Sequence, residues 1–146
     1  MKYMLDTNIC IYIIKRKPSE VIQQFEKMEI SSIGISSITL SELMFGTFKS
    51  ANPARNQLAL TRFAAPLEIW PYGDEIAVCY GHIRAHLERR GTPIGALDFL
   101  IAAHALSMDL TLVTNNEKEF ARVPDLKIEN WVRQSIYRPL LEIYPI

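Results

Sequence analysis

Five short apolar stretches alternate with longer segments of helical period, and nothing else in the sequence restricts the fold as much. Tyr3–Leu5, Ile33–Ile35, Leu67–Trp70, Leu110–Val113 and Leu126–Ile128 are each long enough for a strand and too short for a helix. Helical signals fill the gaps. Asn8 can cap the apolar segment that ends at Lys15, Arg16, Lys17 and Pro18. Val21, Ile22, Phe25 and Met28 follow at helical spacing, Ser36 to Gly46 closes on a glycine, and Asn52-Pro53 opens a helix running to about Ala65. Asp74 caps a helix with Ile76, Cys79, Tyr80, Ile83 and Leu87 on one face, which ends at Arg89, Arg90 and Gly91. Ala96 to Ser107 is apolar nearly all round and therefore a buried helix, and Asn115 to Phe120 adds a short one. Strands separated by helices of this length need crossover connections, so the expectation is a parallel α/β sheet.

Composition excludes several classes. Sixteen basic residues balance sixteen acidic ones, which argues against a general nucleic-acid coat with a broad basic surface. Cys10 and Cys79 are too few for a disulfide scaffold and point to a reducing compartment. The longest apolar run, Ile9 to Ile14, falls far short of the roughly 20 residues that span a bilayer. Asp6 stands where a signal peptide would need its apolar stretch, so a cytoplasmic location is expected.

Ligands of parallel α/β sheets bind outside the carboxyl ends of the strands. Asp6 stands there, directly after the first strand. Glu42 lies on the helix after the second strand, Asp98 in the first turn of the apolar helix, and Asn115, Asn116 and Glu119 follow the strand ending at Val113. Carboxylates buried together repel one another unless a cation offsets them, and Mg²⁺ favours a few carboxylates with water and phosphate. Such a set suits phosphodiester hydrolysis. Each acid also has a plainer explanation. Asp6 can end a strand in a turn, Glu42 can close the capping box Thr39-Leu40-Ser41-Glu42, and Asp98 can complement a helix dipole.

Other constellations carry less. His82 and His86 have zinc-ligand spacing but lack the glutamate of H-E-x-x-H and a third ligand, so a solvated helix face is expected. His104 reads as a satisfied core histidine, and no nucleophile elbow or phosphate-binding glycine loop is present. The clusters Lys15, Arg16, Lys17 and Arg84, Arg89, Arg90 are candidates for guiding an RNA backbone.

MLDTNICIYIIK (4–15), ISSITLSELMFG (35–46), GTPIGALDFLIAAHAL (91–106) and LVTNNEKEF (112–120), in this order, resemble the PIN-domain ribonucleases, and more narrowly the VapC toxins of bacterial type II toxin–antitoxin modules. The resemblance runs to about Trp131. It implies a nuclease domain over residues 1–131, with residues 132–146 as a tail. The implied fold is a three-layer α/β/α sandwich around a central, mainly parallel sheet. The implied activity is a Mg²⁺-dependent endoribonuclease, with Mn²⁺ able to substitute. Asp6, Glu42 and Asp98 would be its metal-binding catalytic acids, Thr7, Asn8 and Thr114 their supports. Many relatives have an aspartate where Asn116 stands; here Asn116 would be a further support and Glu119 the fourth catalytic acid, and the missing charge at 116 weakens the case for a second permanent ion. A VapB-like antitoxin, an RNA substrate (tRNA above all), a homodimer, and contact with DNA only through the antitoxin complete the expectation. The rival reading is a catalytically silent PIN module that binds RNA or serves as a scaffold.

Overall fold

The computed structural model describes residues 1–132; the tail from Arg133 onward lies outside them. Strands β1 (Tyr3–Leu5), β2 (Ile33–Ser36), β3 (Glu68–Trp70), β4 (Thr111–Val113) and β5 (Ile128–Glu129) form one sheet in the order β3-β2-β1-β4-β5. All four pairings are parallel. Helices α1 (Thr7–Lys15), α2 (Ser19–Lys27), α3 (Ser37–Lys49), α4 (Pro53–Ala64), α5 (Ala77–Arg89), α6 (Ala96–Ser107) and α7 (Glu117–Phe120) supply the crossovers. The expected α/β/α sandwich is what forms.

Side-chain alternation sorts the two faces of the sheet. Leu5, Ile33, Ile35 and Val113 pack with α1 to α4, whereas Met4 and Leu112 pack beneath α5 and α6. The central strands are covered on both sides, which is why they read as unbroken apolar runs. Gly34 is required at its position: a Cβ there would stand 2.6 Å from the Glu68 carbonyl oxygen and from the Trp70 ring. Trp131, fully buried beside Tyr3, extends the α1-side core to the end of the described chain.

Local signals missed in three places. Asp74 opens a single 3-10 turn, Asp74–Ile76, so α5 starts at Ala77 without a side-chain cap. Asp6, not Asn8, caps α1: strand passes to helix with a single junction residue, and the Ile9 amide donates to Asp6 Oδ1 at 3.1 Å. Helix α3 runs through Gly46 to Lys49, because its interior face, with Thr39, Leu43 and Thr47 buried, keeps a packing surface beyond the glycine.

Candidate active site

The chain lays β1, β2 and β3 outward in one direction and returns to place β4 and β5 on the other side of β1. The order therefore reverses between β1 and β4, and the carboxyl ends of those strands border a crevice. Asp6 and Thr114 face each other across it. Thr114 Oγ1 donates a short hydrogen bond to Asp6 Oδ2 and accepts one from the Asn116 amide at 2.9 Å. Asp6 is only 8 % exposed. Burial pushes its carboxyl above the ordinary range, and the Glu42 charge adds to this. Bonds from Thr114, the Ile9 amide and the Asn8 amide pull the other way.

Glu42 reaches the crevice from α3. The capping box is ruled out, since Thr39 is a buried residue inside the helix and Ser36 caps it, accepting from the Ile38 amide at 3.0 Å. Glu42 Oε1 instead accepts from Thr7 Oγ1 at 2.9 Å, across 35 residues of sequence. Asp98 arrives on the first turn of α6. Its carboxyl is pushed up to about 6, first by burial and then by a hydrogen bond with Glu119 and the charges of Glu119, Asp6 and Glu42. The Asp98 carboxyl thus holds its proton more tightly than an isolated aspartate does, as a carboxyl crowded by other carboxylates must when no cation separates them. Glu119 Oε2 also accepts from the Asn116 side-chain amide at 3.1 Å.

The four acids therefore meet, held by Thr7, Thr114 and Asn116. Asn8 contributes its backbone amide while its side chain is exposed. Among the described residues no three His, Cys, Asp or Glu side chains form a ready metal-ligand set. The donors nonetheless fit a hard divalent ion that keeps most of its waters: they are all carboxylates, and their mutual repulsion at Asp98 is what a cation there would relieve.

The basic candidates stand elsewhere. Lys15, Arg16 and Lys17 are exposed at the far end of α1, where Arg16 pairs with Glu26 at 3.4 Å. Arg84 is held by Glu88 at 2.8 Å and the Tyr80 hydroxyl at 2.7 Å, above the Phe99 ring. His104 is buried with Nδ1 2.8 Å from Ser36 Oγ, but its Nε2 has no partner among the described residues, so it is only half satisfied. One part of the site had no sequence signal. Asn130 bonds Asn115 at 3.1 Å and takes its side chain from a distant loop, fixing the turn after β4.

Replacing Asn116 by aspartate removes its donor to Glu119 and adds a negative charge beside that carboxylate. Asn116→Asp is expected to bind Mn²⁺ several-fold more tightly and to melt lower without metal. Parallel Mn²⁺ titrations and melting curves check both. Equal affinities would mean that residue 116 does not face the ion.

The PIN domain family profile matches residues 3–126. The chain is 47 % identical over 131 residues to a tRNA(fMet)-specific endonuclease VapC of Salmonella typhimurium, covering 90 % of this chain and 98 % of that one. It is 46 % identical over 132 residues to ribonuclease VapC2 of Rickettsia felis, with coverage of 90 % and 98 %. A crystal structure of VapBC2 from Rickettsia felis, bound to a DNA fragment from their promoter, superposes with a TM-score of 0.85 at 45 % identity, covering 90 % of this chain and 99 % of that one.

Proposed function

Because the chain belongs to the PIN-domain family, we propose that it is the toxin of a VapBC-type pair, a ribonuclease restrained by a VapB-like antitoxin. The observation that carries this reading is the convergence of Asp6, Glu42, Asp98 and Glu119 on the crevice between β1 and β4, in a chain whose relatives are ribonucleases. A silent scaffold has no use for acids held at such electrostatic cost.

Asp6, Asp98 and Glu42 would hold Mg²⁺, or Mn²⁺ in its place. When bound, the ion polarises the phosphoryl group and lowers the pKa of a water. Thr114 and the α1 amides fix the Asp6 carboxylate, and Thr7 fixes that of Glu42. The Asp98–Glu119 pair can take a proton from the attacking water at a carboxylate oxygen. The 3′-oxygen departs with a proton taken from solvent, so the products are a 3′-hydroxyl and a 5′-phosphate. Transfer RNA is the proposed substrate, the initiator species first, by analogy with the Salmonella relative. No described helix is long and apolar enough to cross a membrane, in keeping with cytoplasmic action. Residues 1–131 form the nuclease domain, acting as a homodimer that meets DNA only through the antitoxin.

Expression of the chain alone should halt growth, co-expression of its antitoxin should relieve it, and the purified chain should cut tRNA with Mg²⁺ but not with EDTA. Growth without effect and intact tRNA would overturn the reading.

The antitoxin would dock along the helices near the N-terminus. A groove of about 270 Å³ between α1, α3 and α4 is lined by Ile11, Ile14, Leu43 and Leu60 and has Glu42 at its margin. A segment with apolar side chains in this groove can deliver an arginine or lysine to the acids, where a guanidinium matches carboxylates bidentately. Removing that basic residue from the antitoxin is therefore expected to weaken inhibition at least tenfold, and high Mg²⁺ should partly reverse what remains. Inhibition indifferent to both would place the block away from the acids.

A further inference from the structure

On the side of the molecule away from the antitoxin groove, a second groove runs between α5 and the segment joining α7 to β5. Its two halves, about 350 and 380 Å³, share His86 and Pro124. Arg89, Arg90 and Arg122 line it together with His82 and His86, and Asp125 is the one acid among its described lining residues. Lys2, Arg16, Arg84 and Lys127 each sit within 4 Å of a carboxylate. Arg89, Arg90 and Arg122 have no such partner among the described residues, and Arg122 donates only to the Pro93 carbonyl oxygen, at 2.8 Å. Other lysines and arginines also lack an ion-pair partner among the described residues, but here three arginines line one groove against a single acid, in a chain of zero formal net charge.

The groove adjoins the acids. Arg122 lies just past α7, which carries Glu119, and the Pro93 it holds belongs to the short connection leading to Asp98 on α6. A polyanion brought to four carboxylates is repelled by them, so cations must hold it on either side of the bond to be cut. The supports of the four acids, Thr7, Thr114 and Asn116, are all uncharged.

We propose that this groove holds the phosphodiester backbone of the RNA substrate away from the scissile bond, with Arg89 and Arg90 each contacting a phosphate. The proposal rests on the ribonuclease reading and adds to it the surface that the substrate follows. Contacts of this kind add affinity without reading bases, and they fade with salt.

The test is steady-state cleavage of bulk tRNA by the full-length chain with Mg²⁺ over a series of salt concentrations. Arg89→Gln combined with Arg90→Gln is expected to raise KM about tenfold while kcat stays within twofold. The slope of log kcat/KM against log salt should flatten by roughly 0.7–0.9 for each lost phosphate contact. Arg89→Lys with Arg90→Lys should restore most of both. Arg55→Gln with Arg62→Gln on α4 removes the same charge elsewhere and should change little. An unchanged KM and slope, an equal effect from the α4 pair, or a fall in kcat alone would overturn the groove and leave the nuclease standing. A parent chain that cuts no RNA would overturn the ribonuclease reading, and the groove with it.

Discussion

Asp98→Asn is expected to reduce Mg²⁺-dependent RNA cleavage by on the order of 10²–10³ or more, while raising the melting temperature of the metal-free protein. The two effects have one cause. On the proposed function Asp98 would supply a bound cation with negative charge, and without the cation it is crowded by Glu119, Asp6 and Glu42. The sign of the pH dependence follows. A carboxyl whose pKa is near 6 in the folded chain and 3.8 when unfolded stabilises the fold most below pH 4, and that contribution is lost as pH rises through 6. Discounted for its half-exposed position, the loss is on the order of 1 kcal/mol, a few degrees in melting temperature. In EDTA the parent should therefore soften between pH 4 and 7, and Asp98→Asn should soften less. Full cleavage by the variant, or identical pH profiles, would remove Asp98 from the metal-binding set.

The second large effect lies at the other end of the chain. Trp131→Ala should destabilise the protein by about 3–5 kcal/mol, a large share of the 5–15 kcal/mol that holds a domain of this size together. The indole is fully buried beside Tyr3, and its Nε1 donates to Glu129 Oε1 at 2.9 Å. Urea unfolding reads the change directly. Truncation after Arg133 is expected to leave both stability and cleavage unchanged, since the likeness to the PIN family stops before the tail, with the profile match ending at residue 126. A loss below about 1 kcal/mol for Trp131→Ala would end the domain nearer residue 126, where the family match stops. A truncated chain that unfolds would instead give Ile136, Leu140 and Leu141 a part in the core.

The sequence by itself determined the layered architecture, because strand length, helix period and apolar faces are local properties that packing had no reason to override. Strands beginning at Tyr3 and Ile33 and the buried helix from Ala96 to Ser107 appear where periodicity sets them. The acids were legible for the same reason, each sitting at a strand end or helix start among apolar neighbours. Their relationship was not. Glu42 has the spacing of a helix cap, and only the partner Thr7, 35 residues away, shows that it turns to the crevice. Glu119 was a spare acid until α6 carried Asp98 to it. The groove of Arg89, Arg90 and Arg122 joins residues more than 30 positions apart that no local pattern connects. Distance through space sets Coulomb energy and hydrogen bonding, and a sequence records only distance along the chain. Folding alone brought the charges of four separate acids close enough to act on one another.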